Sequence, residues 1–447
     1  MTGASARTIA FATLGCRLNQ VDSQQLQGLL EARGFRTVDA GQRADVVVVN
    51  TCTVTARSEL SDRQAIRRAA RVSPGARVVV TGCWAQTNPS AVAAVPGVDL
   101  VVGNADKARL PALLERLLDE ERASTPLIHV GDVTAVREID AAPPARVRGR
   151  SRAFLKIQDG CQHRCAFCIV PFARGASRSL HPGLVLDRAR AMVEAGHPEV
   201  VLTGVDLGHY GADLTERTSL AALLRALVEV AGLRWLRLSS MLPAYFTEDL
   251  LEVVTGAPVI APHFHVPLQS GSDRVLRRMR RPYSVRMYRA LIERLAAAIP
   301  AVSLGADVIA GFPGESEAEF AETQAVVRDL PLSYLHVFPY SGRRGTEAAR
   351  LPGHVDRAEI GRRGRALREL GAVKNAAFRR AMVGRVHDAL VLEARDRATG
   401  GLVGLTGNYV EVVVDGPDTM MRRMTRVRVT QADGAVTRGR LEEGAAA

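Results

Sequence analysis

Six cysteines carry the first chemistry in this 447-residue chain. Three of them, Cys161, Cys165 and Cys168, fall in the spacing CxxxCxxC within FLKIQDGCQHRCAFCIVPFARGASRS, residues 154–179. Thiolates are the usual ligands of iron–sulfur clusters, and most clusters take four. Three thiolates from one loop can hold a cubane at three corners and leave the fourth iron open to a chelating small molecule. The alternative is a zinc site completed by His163 or a distant ligand; lying between the first two cysteines, His163 makes an awkward fourth. Cys16, Cys52 and Cys83 stand far apart, in TLGC, NTC and TGC, each just past a run that reads as a strand. In an open parallel sheet such strand ends share one edge, where ligands bind. Any one of them alone would read as a buried structural cysteine. Three at equivalent strand ends point to a second three-cysteine cluster site.

The elements that must position these residues follow from the pattern. Strand-like runs at Arg7–Leu14, Asp45–Thr51, Arg77–Gly82 and Val98–Gly103 alternate with helical stretches at Val21–Gly34 and Ser58–Arg71. That alternation implies a doubly wound parallel sheet. Residues 122–150, with AAPPARVRGR, read as a linker. Alternation then resumes, with strands expected at Phe154–Gln158, Glu199–Gly204, Arg234–Ser239, His263–Pro267, Val302–Ile309 and Ser333–Phe338. Six βα units suit a partial or full parallel barrel, whose active site lies at the carboxyl ends of its strands. The CxxxCxxC loop directly follows the first of them. His263 and His265 alternate along one strand, which favours core or supporting roles over metal ligation. Past Met382, short alternating strands with turn residues between them suggest a small antiparallel barrel.

Composition narrows the partners. Hydrophobic residues make up 47% and charged residues 24%, ordinary for a globular chain. The sequence contains neither an 18-residue apolar run nor a signal-peptide pattern, so no membrane partner is expected. Six cysteines are too few for a disulfide framework in so long a chain, which fits a cytoplasmic location. A net charge of +12, mostly arginine, favours a polyanionic partner. Arginines cluster at Arg146–Arg152, Arg274–Arg289, Arg362–Arg380 and Arg422–Arg428, and such runs are read as candidate RNA surfaces.

The loop's CxxxCxxC, with the aromatic Phe167 before the last cysteine, resembles the radical S-adenosylmethionine (SAM) superfamily. FLKIQDGC and CIVPFARGASRS around it are similar to the methylthiotransferase branch. TLGCxxNxxDS (Thr13–Ser23), NTCTV (Asn50–Val54) and GCxAQ (Gly82–Gln86) resemble that family's N-terminal domain, with Trp84 where relatives often carry Tyr. The resemblance implies residues 1–121 as that domain, 122–146 as linker, 147–377 as radical SAM core and 378–443 as an RNA-binding TRAM barrel.

It also implies two [4Fe–4S] clusters, one on Cys16, Cys52 and Cys83 and one on Cys161, Cys165 and Cys168. SAM would chelate the open iron of the latter, near Phe167, Thr203 and Gly204. In the family one SAM supplies a methyl group and another, split by one electron, supplies a 5′-deoxyadenosyl radical. The implied partners are tRNA, met at its anticodon loop, and a reductant protein such as flavodoxin or ferredoxin; DNA is not expected.

NTCTVTARSE, LTGVDLGHYG, VPLQSGSDRVLRRM and LHVFPYSGRRGT look most like the enzymes that act on threonylcarbamoyladenosine at position 37. Isopentenyladenosine, or an aspartate of a ribosomal protein, is the alternative target. A non-catalytic RNA-binding iron–sulfur protein and a cluster carrier are the rivals from other classes. The tail reads as the RNA-binding part, so a chain ending before Met382 is expected to bind tRNA more weakly while keeping SAM cleavage.

Overall fold

The computed structural model describes residues 6–139, 151–434 and 436–442. The basic positions Arg146, Arg148 and Arg150, and the end of the stretch read as linker, lie outside the described residues. The chain divides into two compact units. One comprises residues 1–147, 158–180 and 341–349, the other 148–157, 181–340 and 350–447.

The first unit is built on a parallel sheet of six strands: β1 (Thr8–Thr13), β2 (Arg36–Val38), β3 (Val46–Thr51), β4 (Arg77–Gly82), β5 (Leu100–Val102) and β6 (Leu127–His129). Their order is β2-β1-β3-β4-β5-β6, so the direction of winding reverses between β1 and β3. β6 lies inside the stretch that reads as linker; three residues are too short for periodicity to register. Every residue of β3 is buried because helices cover both faces of the sheet. Val47 and Val49 pack with Ile66 and Ala69 of helix Ala56–Val72. Val46 and Val48 face Leu26 and Leu30 of helix Arg17–Glu31, with Leu113 and Leu114 of helix Leu110–Asp119. An unbroken valine run is what two-faced burial calls for. In the same unit Gln158–Asp159 pairs antiparallel with Arg178–Ser179 and closes the base of the CxxxCxxC loop.

In the second unit six parallel strands lie side by side in chain order: Arg152–Lys156, Glu199–Thr203, Trp235–Leu238, His263–His265, Ser303–Ala310 and Tyr334–Pro339. A bridge between Leu236 and Ile260 joins its two three-stranded halves. Helices separate the strands, giving a partial β/α barrel as the sequence pattern implies. Helix Arg357–Arg380 then leads to a closed barrel of Val386–Arg395, Leu402–Thr406, Glu411–Val414, Met424–Asp433 and Val436–Leu441.

This small barrel does more than hang from the larger one. Its loop at Gly407–Tyr409 reaches the amino ends of the parallel strands. Tyr409 stacks on His263 with ring centroids 4.4 Å apart. Arg237 lies over Tyr409 at 4.9 Å and donates to the Gly407 carbonyl at 2.9 Å. Asn408 donates to Ala301 O at 3.1 Å, and a Cβ on Gly407 would meet Trp235 and Pro262 at 3.2 Å. A chain cut before Met382 would therefore strip the cover from a buried, charged end of the larger barrel.

The arginine runs are also partly spoken for. Arg278 pairs with Glu319, Arg289 with Asp329, Arg362 with Glu317 and Glu359, Arg363 with Glu315, and Arg428 with Glu442. Arg379 donates to Gly434 O, and Arg422 to Ala195 O. Arg274, Arg277, Arg286, Arg365, Arg368, Arg423 and Arg426 remain exposed.

Candidate cluster and SAM site

Cys16, Cys52 and Cys83 follow β1, β3 and β4, three neighbouring strands that straddle the reversal of the sheet. This is the switch point at which open α/β sheets bind ligands. The backbone there is cut to shape. Gly15 has φ +93°, and a Cβ on it would meet Cys52 Cβ at 2.8 Å and its Sγ at 3.0 Å. Gly82, at φ +101°, passes so close to Asn50 and Thr51 that a Cβ would sit 2.5 Å from both. Only glycine fits either conformation without strain.

Motif residues hold the turns. Asn19 Nδ2 donates to Leu14 O at 2.8 Å and to Thr51 O at 3.0 Å. Asn50 Nδ2 returns the tie, donating to Asn19 O and Ser23 Oγ. Two buried amides thus lock the segment before Cys16 to the one before Cys52.

Burial keeps two of these thiols protonated, and ligation would require them to give those protons up. Burial pushes the Cys52 thiol up to about 11, reinforced by its cysteine neighbours Cys83 and Cys16. Burial also raises Cys83, against the pull of the Arg174 guanidinium. Arg174 comes from the CxxxCxxC segment, six residues past Cys168. Fully enclosed, it pairs with Asp159 at 2.9 Å and Asp22 at 3.1 Å, and donates to Asn19 Oδ1 at 2.7 Å. Lys107 also meets Asp22 at 2.8 Å, and Asn104 Nδ2 approaches Cys83 Sγ at 3.7 Å. Asp62 Oδ2 accepts from the Cys52 N–H at 3.0 Å, and burial lifts its carboxyl to about 7. Arg343, from the 341–349 segment of the same unit, pairs with Glu59 and donates to Thr53 beside Cys52.

Cys161, Cys165 and Cys168 are half-buried on their loop. Cys161 N–H donates to Gly175 O and Cys168 N–H to Cys165 O, both at 3.0 Å. Gly160 has φ +75°, and a Cβ there would sit 1.9 Å from Ala176 O, so the two ends of the loop touch. Phe167 is half-buried on the same loop. Thr203 ends its strand, fully buried, and its carbonyl accepts from Ile157 N–H at 3.0 Å; Gly204 follows directly.

Against protein-family models, residues 8–103 match "Uncharacterized protein family UPF0004" and residues 155–327 match the "Radical SAM superfamily". The chain is 37% identical to the threonylcarbamoyladenosine tRNA methylthiotransferase of Bacillus subtilis, over 95% of this chain and 94% of that one. It is 38% identical to the tRNA-2-methylthio-N(6)-dimethylallyladenosine synthase of Parafrankia, over 92% of this chain and 84% of that one. A solved radical SAM methyltransferase from Kitasatospora setae superposes with a TM-score of 0.57 at 17% identity, over 75% of each chain, a likeness of fold alone. The chain belongs to the radical SAM tRNA methylthiotransferases.

A radical SAM tRNA methylthiotransferase uses SAM and two [4Fe–4S] clusters, and the residues present fit that demand. Among the described residues, the group of ligand atoms drawn within 4.8 Å of one another is His265, Asp307 and His336. Gly15 lets the turn before Cys16 pass directly against Cys52, where any side chain would collide with the cysteine. Sequence reading missed Arg174, Lys107 and Asp62. Arg174 and Asp22 both stood inside quoted motifs, so they were visible only as positions, without their partners.

Proposed function

We propose that this methylthiotransferase modifies carbon 2 of N6-threonylcarbamoyladenosine at position 37 of tRNA, in the cytoplasm. What carries the reading is the end-to-end match with two relatives named for that activity, 94% of the Bacillus subtilis enzyme and 97% of the Aquifex aeolicus enzyme; a third, from Rickettsia prowazekii, is covered over 78%. The relatives named for dimethylallyladenosine are covered over 74–84% of their length. Cys161, Cys165 and Cys168 would hold the cluster that chelates SAM, with Phe167, Thr203 and Gly204 beside the cofactor. Cys16, Cys52 and Cys83 would hold the auxiliary cluster. A flavodoxin or ferredoxin would deliver the electrons. The target base sits in a single-stranded loop, so it can be splayed out without opening a duplex. The protein's share is to bind, orient and shield, since the cofactors carry the radical chemistry.

Deletion of the gene and mass spectrometry of tRNA nucleosides tests the substrate. Loss of the methylthio form of threonylcarbamoyladenosine is expected. Loss of methylthio-isopentenyladenosine, or of a ribosomal modification alone, overturns the assignment.

A further inference from the structure

A chain of polar side chains runs across the wall of the partial barrel and includes none of the cysteines. Its members come from three neighbouring strands: His263 and His265, then Asp307, then Tyr334 and His336. The Tyr334 hydroxyl lies 2.8 Å from His263 Nε2 and 3.0 Å from His265 Nδ1. His265 Nε2 meets Asp307 Oδ1 at 2.9 Å, and His336 Nδ1 meets the same oxygen at 3.3 Å. Tyr334 can reach two strands over because Gly305 lies between; a Cβ there would sit 2.0 Å from the tyrosine ring.

The protons can be assigned from the acceptor. An ionised carboxylate only accepts, so His265 Nε2 carries a proton. With Nε2 as the donor, the other ring nitrogen, Nδ1, can accept from the Tyr334 hydroxyl, which in turn can accept from His263 Nε2–H. One sense of donation therefore satisfies every link and ends on Asp307. Burial alone would raise the Asp307 carboxyl, but the hydrogen bonds from His265 and His336 overcome it and hold it below the usual range.

The two ends of the chain differ. His263 is buried against Tyr409. His336 is 57% exposed and Asp307 22%. A carboxylate offers about four lone-pair sites, and the two imidazoles use one oxygen. The anion is thus fixed in place, partly open, with acceptor capacity left over.

We infer that Asp307 binds the target nucleoside, accepting an N–H or O–H of the adenosine that the enzyme modifies, with His265 and His336 as its positioning residues. A base flipped from its stack is read through such polar contacts, and carboxylates take ribose hydroxyls in other nucleotide sites. The three ligand atoms could instead close on a divalent metal ion, but the hydrogen-bond chain is already complete without one. This inference rests on the tRNA reading above.

The test uses anaerobically reconstituted holoenzyme and a synthetic anticodon stem-loop RNA carrying threonylcarbamoyladenosine at the target position. Asp307→Asn should weaken stem-loop binding about tenfold or more and raise KM more than it lowers kcat, with SAM affinity unchanged. His336→Gln, at the open end, gives a second reading should Asp307→Asn fail to fold, and should weaken RNA binding in the same sense. RNA affinity within twofold of wild type in a folded variant overturns the inference. So does loss of SAM affinity alone. So does one zinc or cobalt ion per wild-type chain that disappears with Asp307→Asn. Failure of the wild type itself to bind the stem-loop would remove the tRNA reading and this inference with it. Wild-type binding with an indifferent variant would remove this inference only.

Discussion

Removing the Arg237 guanidinium should destabilise the second unit severely. Arg237 and Glu199 are both fully enclosed, 0% exposed each, with Nε and Oε1 2.7 Å apart. In Arg237→Met the aliphatic volume survives while Glu199 keeps only Arg152, at 3.8 Å. Breaking one side of a buried pair costs about 3–5 kcal/mol, because the remaining charge has neither water nor partner. Gly407 O loses its donor and Tyr409 its cation in the same step, so the upper end of that range is expected. A domain is stable by only about 5–15 kcal/mol in total, which makes the loss easy to see. The chain has two tryptophans, Trp84 in the first unit and Trp235 in the second. A Trp84→Phe background therefore leaves one fluorescent reporter, packed beside Arg237. Urea unfolding of the cluster-free protein, followed at that tryptophan, measures the difference. The double variant Glu199→Gln/Arg237→Met, with no stranded charge, should recover much of the loss. A single variant that costs less than about 1 kcal/mol would refute the reasoning, as would a double variant worse than the single.

Two further outcomes are expected. Cys161/Cys165/Cys168→Ala and Cys16/Cys52/Cys83→Ala should each halve the iron and sulfide of the reconstituted protein; an unchanged iron content in either triple variant would refute its ligand set. Asp62, raised by burial to about 7, is charged in the unfolded chain at a pH where the folded chain still keeps it protonated. Its penalty grows as pH rises from the unfolded value of 3.8 and levels off above about 7. Asp62→Asn should therefore stabilise the cluster-free protein, with a gain widening by roughly 2–3 kcal/mol between about pH 5 and about pH 8. A gain that stays flat across that window would sink the account.

The placement of the cysteines on one loop and at strand ends was legible in the sequence because each depends on something local. CxxxCxxC is a single loop, and the other three cysteines each follow a strand whose apolar run is visible in the chain. A parallel sheet then brings those ends together without any need to know the strand order. The polar chain in the barrel was not legible. It requires Tyr334 to pass over Gly305 to His263, a contact between residues 71 apart that no periodicity encodes. The same holds for Arg237, whose carboxylate comes from an adjacent strand and whose carbonyl partner, Gly407, lies 170 residues further on. Charge runs misled in a different way: a sequence displays arginines but hides their partners. Glu359 stands three and four residues before Arg362 and Arg363, so that part was readable. Glu315 and Glu317 were not.

The pairing of those arginines leaves the argument for a polyanionic substrate standing, on different residues. Each internal ion pair removes one charge of either sign, so pairing cannot change the excess of +12. Buried ions need partners, and an unmatched charge is tolerated only in water. The surplus must therefore reside on exposed side chains, and Arg274, Arg277, Arg286, Arg365, Arg368, Arg423 and Arg426 are exposed. Several of these positions lie on segments whose other arginines fix the helices to the barrel. One residue type thus braces the scaffold from one face of a helix and meets solvent from another. Arginines of the second kind can exchange counterions for RNA phosphates, and that exchange makes affinity fall steeply with salt.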